Sequence, residues 1–107
     1  MEKSFELNDY FRKTLEGGYV FFTPTLSART DEEKVEILNL VRHYEKFNQK
    51  NDPFKNHSFG SFDFKGELIA WKIIYFDKSF RSYPKKPTKK TLRFLFIMNT
   101  SEYAKCT

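Results

Sequence analysis

The sequence has little cysteine, glycine or proline and no long hydrophobic run, and each shortage excludes a class of protein. One cysteine, Cys106, in 107 residues excludes an intrachain disulfide and the Cys/His frameworks of zinc domains. Four glycines and four prolines exclude collagen-like and low-complexity chains. The longest apolar stretches, 71–76 and 94–98, are strand-sized, whereas a membrane span needs about 20 residues. No secretory signal is visible, so we expect a cytoplasmic protein without membrane contact.

Aromatic residues, in contrast, are abundant, with 13 Phe and 6 Tyr in the chain. A disordered chain lacks the bulky side chains that offset the entropy of ordering, so this composition predicts a folded protein. A chain of 107 residues has the usual size of one domain and buries only about two thirds of its unfolded surface. We therefore predict a single domain over residues 1–107 with an aromatic-rich core.

Two segments have the apolar spacing of amphipathic helices. The first is predicted over residues 4–16, and Gly17 with Gly18 supplies its end. Thr30 followed by Glu33 forms a capping box, which predicts the start of a second helix that ends at residue 47 or 48. The apolar stripe of this second helix consists of Ile37, Leu40, Val41, Tyr44 and Phe47.

Four further segments have the composition or the alternation of strands. Residues 19–23 are β-branched and aromatic, and Pro24 directly after them predicts a short strand near a sheet edge. Alternation from residue 57 onward predicts a second strand, and residues 67–77 are apolar on both faces, as in a central strand. Residues 91–99 have the same character and form the last predicted strand.

The turn between the second and third predicted strands fixes their register. Lys65 and Gly66 form a tight hairpin turn, and a two-residue loop would pair Gly60 with Trp71. The indole would then lie across the glycine backbone. The predicted order is α-β-α-β-β-β: an α+β domain in which two helices from the N-terminal half pack on one face of an antiparallel sheet of three to four strands. Residues 100–107 are weakly specified and are predicted to be a flexible tail.

Positive charge is concentrated in one segment of the chain. Residues 78–93 contain seven basic residues and no acid, while the rest of the chain has 12 basic and 14 acidic residues. The net charge of +5 is therefore a property of this segment. Residues 78–90 form the predicted basic loop between two strands, and its length is typical of functional or mobile connections.

The basic segment is the candidate binding site, because lysines neutralise anions and interleaved aromatic rings can stack or insert. The candidate partner-binding residues are Lys78, Phe80, Arg81, Tyr83, Lys85, Lys86, Lys89, Lys90 and Arg93. The alternative is a solvated loop that only keeps the protein soluble and discourages edge aggregation. If the loop binds, an anionic protein surface and a nucleic acid are both open as partners.

Known catalytic signatures are absent from the sequence: there is no Walker loop, dinucleotide glycine pattern, Gly-x-Ser-x-Gly elbow or His-Glu-x-x-His. His57, with Asp52 and Asp63 nearby in sequence, could in principle form an acid-base or metal cluster. The spacing matches no metal motif, so we expect no metal, no cofactor and no catalytic residue. A buried, hydrogen-bonded histidine that anchors the loop to the sheet is the preferred interpretation of His57.

Several short motifs resemble those of a known family. They are Leu7-Asn8-Asp9 with Phe11-Arg12, Asn51-Asp52-Pro53-Phe54, His57, Phe59-Gly60-Ser61-Phe62, Gly66, Trp71-Lys72-Ile73, Tyr75-Phe76-Asp77 and Ser101-Glu102-Tyr103. Through them the chain resembles a family of small proteobacterial proteins of unknown function. Members of that family are often encoded on plasmids and in phage-like regions, near genes suspected of countering host defence. The resemblance implies this context and carries no activity or catalytic residue.

Two hypotheses about function follow from the loop and the resemblance. The first is a non-enzymatic binding protein of a mobile element, for example an anti-defence inhibitor of the anti-restriction or anti-CRISPR type. It would contact a host protein, such as a nuclease or defence complex, through the basic loop. The second is a nucleic-acid-binding accessory protein that uses the same loop. A small hydrolase or nuclease using His57 and Asp63 is a minor third hypothesis.

Overall fold

The computed structural model describes residues 4–76 and 91–100. Its elements are α1 (Ser4–Thr14), β1 (Gly18–Phe22), α2 (Pro24–Ser27), α3 (Asp31–Arg42), β2 (Phe59–Phe64), β3 (Glu67–Phe76) and β4 (Leu92–Asn99). The predicted α+β class is confirmed, and so is the position of the helices ahead of the last three strands. No helix in the described ranges is long and apolar enough to cross a bilayer.

The four strands form one sheet in the order β1-β4-β3-β2. β3 runs antiparallel to both β2 and β4, which confirms it as a central strand. β1 lies at the sheet edge, as predicted, but it runs parallel to β4. The sheet is therefore mixed and not antiparallel throughout, because the long connection from β1 to β4 returns the chain to the same end of the sheet.

The helices differ from the prediction in three respects: the presence of α2, the end of α1 and the end of α3. α2 occupies residues predicted as a connector, because Pro24 at its first turn already has helical φ and follows Thr23 in an extended conformation. α1 ends at Thr14, two residues early, where Leu15 adopts a positive φ of 63°. α3 begins as predicted, with the Thr30 hydroxyl accepting a hydrogen bond from the Glu33 N–H at 3.1 Å.

The C-terminal end of α3 lies at Arg42, about one and a half turns earlier than the apolar stripe predicts. The carbonyl of Tyr44 accepts a hydrogen bond from the buried guanidinium of Arg12 at 2.8 Å. Tyr44 and Phe47 therefore reach the core from the segment after the helix, and their rings contact each other edge-on. The prediction that these two side chains pack into the core is therefore correct, and the prediction that they belong to the helix is wrong.

The β2–β3 hairpin has the predicted register, with Gly60 opposite Trp71 across a turn at Lys65 and Gly66. A Cβ atom added at Gly60 would lie 2.6 Å from the indole nitrogen of Trp71 and 2.6 Å from the ring of Tyr44. The indole therefore crosses the glycine backbone, as the sequence indicated.

The helices of the described residues cover one face of the sheet, which we call the inner face; the other is the outer face. The core between helices and sheet consists of Phe11, Leu26, Ile37, Val41, Tyr44, Phe64, Ile69, Trp71, Ile73, Tyr75, Leu95 and Ile97. Along β4, alternate residues point inward, so Arg93 shares the inner face with Leu95 and Ile97. Phe94 and Phe96 lie on the outer face, next to Tyr19 and Phe21 of β1.

Candidate functional site

The structure describes one of the nine predicted partner-binding residues. Lys78, Phe80, Arg81, Tyr83, Lys85, Lys86, Lys89 and Lys90 lie outside the described residues. Arg93 is described and is only 3% exposed, which removes it from the candidate surface contacts. Its alternation with Phe94 explains the correction: Arg93 belongs by sequence to the charged run but by strand parity to the core side of β4.

Arg93 belongs to a buried polar network centred on Asn8 of α1. The Asn8 side-chain amide donates to the Tyr75 hydroxyl at 2.6 Å and to the Asn56 carbonyl at 2.8 Å. Its oxygen accepts from Arg93 Nε at 2.8 Å. Burial raises the pKa of the Tyr75 phenol above its ordinary value, although the hydrogen bond from Asn8 opposes the shift. One side chain thus links α1, β3, β4 and the segment that precedes β2.

A second polar cluster adjoins the first and is centred on Asp9. The carboxylate of Asp9 lies 3.0 Å from Arg12 Nη1, and both of its oxygens lie 3.0 Å from His57 Nδ1. Arg12 is 1% exposed and its guanidinium lies over the Trp71 ring, 5.1 Å from the centroid. Burial lowers the pKa of Arg12, and the neighbouring Asp9 carboxylate opposes that shift. Because Asp9 accepts, Nδ1 is the protonated nitrogen of His57.

The other side of His57 faces Asp52. One oxygen of this buried carboxylate accepts the backbone N–H groups of Asn56 and His57, both at 3.0 Å, and the other oxygen lies 3.6 Å from His57 Nε2. The imidazole also stacks on Phe47, with 3.8 Å between centroids and an interplanar angle of 3°. His57 thus lies between two carboxylates and joins the segment before β2 to α1. His57 is therefore an anchor, as the preferred interpretation has it, but it is partly exposed and holds the segment to α1 and not to the sheet.

Asp63 takes no part in this cluster. It is exposed, near the hairpin end of β2, opposite Leu68 on the outer face of the sheet. The acid-base cluster of His57 with Asp63 is therefore not formed. Among residues 4–76 and 91–100, no group of three or more His, Cys, Asp or Glu side chains could hold a metal ion.

A cavity of about 370 Å³ opens beside His57. Its lining consists of Phe5, Phe47, Asn48, Gln49, Asp52, Lys55 and His57. Two of these side chains, His57 and Asp52, already have partners within the protein and hold the loop as described above. The cavity therefore lies above a structural cluster.

A group of neighbouring aromatic residues lies on the outer face of the sheet. Its four members, which we call the aromatic ladder, are Tyr19, Phe21, Phe94 and Phe96. Tyr19 stacks on Phe94 with centroids 5.5 Å apart, and Phe21 stacks on Phe96 at 5.2 Å. Tyr19 and Phe21 remain 57% and 44% exposed. β4 carries Phe94 and Phe96 of the ladder, and it begins where the basic segment ends in the sequence.

Sequence reasoning missed Asn8, Asp9 and Arg12 as site residues. A signal was present, because positions 8, 11, 12 and 15 have the i, i+3, i+4, i+7 spacing of a buried helix face. Two polar residues in that stripe indicate buried hydrogen bonds. The aromatic ladder could not be found in the same way, because it depends on the pairing of β1 with β4.

Comparison with known proteins gives one finding. The family model described as Protein of unknown function (DUF3768) matches residues 22–102. No curated protein matches the chain, and no solved structure does.

Proposed function

The chain belongs to the family Protein of unknown function (DUF3768), and we propose that it is a non-enzymatic protein that binds single-stranded nucleic acid. The observation that carries this proposal is the aromatic ladder on the outer face of the sheet, where Tyr19 and Phe21 are exposed. Unpaired bases would stack on Tyr19 and Phe21, while the cations of the basic segment neutralise the backbone phosphates.

The proposal combines two features that single-strand binding requires. Stacking of a base on an aromatic side chain contributes about 1–3 kcal/mol and tolerates any sequence, because every base has a π-face. Sheet faces that carry exposed aromatics are a recurring platform for this contact. The basic segment, known here from its sequence, adds six cations besides the buried Arg93 and no acid, and phosphate neutralisation supplies most sequence-independent affinity.

The surroundings of His57 support a role without catalysis. A general base must reach a substrate proton with a free ring nitrogen. In this protein Nδ1 is held by Asp9, and Nε2 lies 3.6 Å from the buried carboxylate of Asp52. Binding is the function that remains for the outer face, which carries the ladder.

Fluorescence anisotropy with labelled single-stranded and duplex oligonucleotides tests the proposal. We expect single strands to bind more tightly, with affinity falling steeply as salt rises. Reversing four lysines of the basic segment should abolish binding at about 50 mM salt; where weaker binding persists, its salt slope should flatten by about 0.7 for each phosphate that is no longer neutralised. The four are Lys85, Lys86, Lys89 and Lys90, each changed to Glu.

A matched control reverses four exposed lysines outside the basic segment. These are Lys13, Lys46, Lys50 and Lys55. The control changes the net charge by the same amount, so it should weaken binding only slightly if the basic segment binds the phosphates. Equal losses of affinity in both variants, or no binding of either nucleic acid at about 50 mM salt, would contradict the proposal.

A second candidate function is capture of an anionic host protein in the cytoplasm. It would suit an anti-defence inhibitor of a plasmid or phage-like element of proteobacteria, the context that the resemblance implies. One observation favours it: α3 exposes Val35 and Leu40, and a depression beside them is lined by Glu36, Asn39, Leu40 and His43. Such an exposed apolar surface suits contact with a protein better than contact with a nucleic acid.

A pull-down from a bacterial lysate, with and without nuclease, separates the two candidates. Capture that survives nuclease treatment and is lost when the four lysines are reversed would favour the host protein. Capture that disappears with nuclease would favour nucleic acid. Capture unchanged by the lysine reversal would leave the basic segment with a solubilising role.

A further inference from the structure

β1 is an edge strand without the usual protection of an edge. Its five residues, Gly18–Phe22, include no charged side chain and no proline within the strand. None of them forms a backbone hydrogen bond outside the ladder with β4 in the part of the chain that the structure describes. Soluble proteins normally blunt such an edge with lysine, proline, a bulge or a covering segment. The opposite edge strand, β2, carries Asp63 and is followed directly by Lys65.

We infer that β1 pairs with β1 of a second copy of this chain, joining the two sheets at their edges. An antiparallel pairing about a two-fold axis at Val20 would place Tyr19 opposite Phe21 of the partner subunit. Residues directly opposite in such a pair have Cβ atoms about 4.5–5.5 Å apart, close enough for aromatic contact. The aromatic ladder would then continue from one subunit into the other across the axis.

Self-pairing is favoured over addition of a foreign strand by the symmetry of β1. In a two-fold interface the same surface of each copy faces the other. Charged side chains in the strand would therefore be brought close to the identical charges of the partner subunit. β1 has none, and the two-fold sets Tyr19 against Phe21 twice. The pairing also satisfies open N–H and C=O groups on both copies.

The dimer is expected to be weak. Stable specific interfaces bury roughly 1,200–2,000 Å², and a ladder of five residues with two aromatic pairs falls below that range. We therefore expect a dissociation constant in the micromolar range, on the order of 10 μM. The inference is independent of the proposed function, because the dimer forms without a ligand; if both hold, the two copies share one continuous aromatic surface.

Sedimentation velocity on the full chain without nucleic acid tests the inference, over concentrations from about 1 to 200 μM. The expected result is a concentration-dependent shift from the 12.9 kDa monomer to twice that mass. Phe21→Lys should weaken dimerisation by about tenfold or more, because it places a charge at the paired edge.

Leu68→Lys is the matched control. Leu68 is 44% exposed, as is Phe21, and lies on the same outer face, but its strand, β3, is interior. The Leu68→Lys variant should dimerise as the wild-type protein does. Circular dichroism should show that both variants are folded. If Phe21→Lys does not fold, Tyr19→Lys replaces it in the experiment. A wild-type monomer throughout the range, equal dimerisation of Phe21→Lys and wild type, or growth into larger oligomers would overturn the inference.

Discussion

Gly60 offers the sharpest test of the packing described above. A Cβ atom at this position would lie 2.6 Å from Trp71 Nε1 and 2.6 Å from the Tyr44 ring, whereas ordinary contacts begin near 3.4 Å. Both rings are buried, and they pack edge-on against each other with centroids 5.5 Å apart. Gly60→Ala therefore requires two interlocked rings, or the backbone of β2, to move by close to an ångström.

The cost of that movement can be estimated from core substitutions. Overpacking by one methyl group costs about 1–3 kcal/mol, and rigid rings on two sides favour the upper end. Because the unfolded chain has less conformational entropy with Ala than with Gly, the substitution also stabilises the folded protein by about 0.4–1 kcal/mol. We expect a net loss of about 2 kcal/mol in the free energy of unfolding, a large share of the roughly 5–15 kcal/mol typical of a domain.

Urea denaturation followed by fluorescence measures this loss, with Gly66→Ala as the matched control. Gly66 has a φ of 84° and no atom within 4 Å of an added Cβ, so its substitution costs backbone strain alone, about 1 kcal/mol. With the same entropic stabilisation, Gly66→Ala should be close to neutral. If the two variants differ by less than about 0.5 kcal/mol, the packing argument at Gly60 is wrong.

A double variant isolates the contact with the indole. Within the described ranges, Trp71 Nε1 is buried and has no hydrogen-bond partner, so Trp71→Phe removes no hydrogen bond while opening space beside Gly60. Gly60→Ala combined with Trp71→Phe should be less destabilised than the sum of the single variants by about 1 kcal/mol or more. Strict additivity would show that the methyl group and the indole do not meet.

Two further predictions concern the polar network. Asn8→Leu takes away the acceptor of Arg93 Nε and the amide that donates to Tyr75, so it should destabilise the protein by about 3 kcal/mol in urea, whereas the exposed Asn39→Leu should cost less than about 0.5 kcal/mol. Burial raises the pKa of Tyr75, so the folded state keeps the proton longer than the unfolded state does. The resulting stabilisation is present below the unfolded value near 10 and is lost as pH rises through the higher folded value. Unfolding free energy should fall above about pH 10, and less steeply in Tyr75→Phe; identical pH profiles would count against the buried phenol.

Local features of the fold were predictable and distant ones were not. The capping box at Thr30 and the hairpin at Lys65 and Gly66 are encoded within a few residues, and both were predicted in the correct place. The pairing of β1 with β4 joins Gly18 to Arg93, and no local pattern specifies a partner so far along the chain. The end of α3 was predicted late because Arg12, from another helix, holds the Tyr44 carbonyl.

In the site, too, local features were predictable from the sequence and contacts between distant residues were not. His57 was identified as an anchor from its own surroundings, but its partner Asp9 is 48 residues away and was missed. Arg93 was grouped with the lysines that precede it, although its alternation with Phe94 already indicated the buried face. Strand parity was the better guide there, because one residue of register decides between core and solvent.

The place of β4 in the sheet has a consequence for synthesis of the protein. The strand made last lies between β1 and β3, and the Asn8–Arg93 hydrogen bond joins residues 85 positions apart. During translation β1 therefore has no neighbour to pair with until β4 has been made, so the sheet cannot close strand by strand. Contacts this distant make folding slow compared with a helical bundle of the same size. A nascent chain that ends before residue 93 leaves the uncharged β1 edge unpaired on both sides, which makes unfinished chains prone to aggregate.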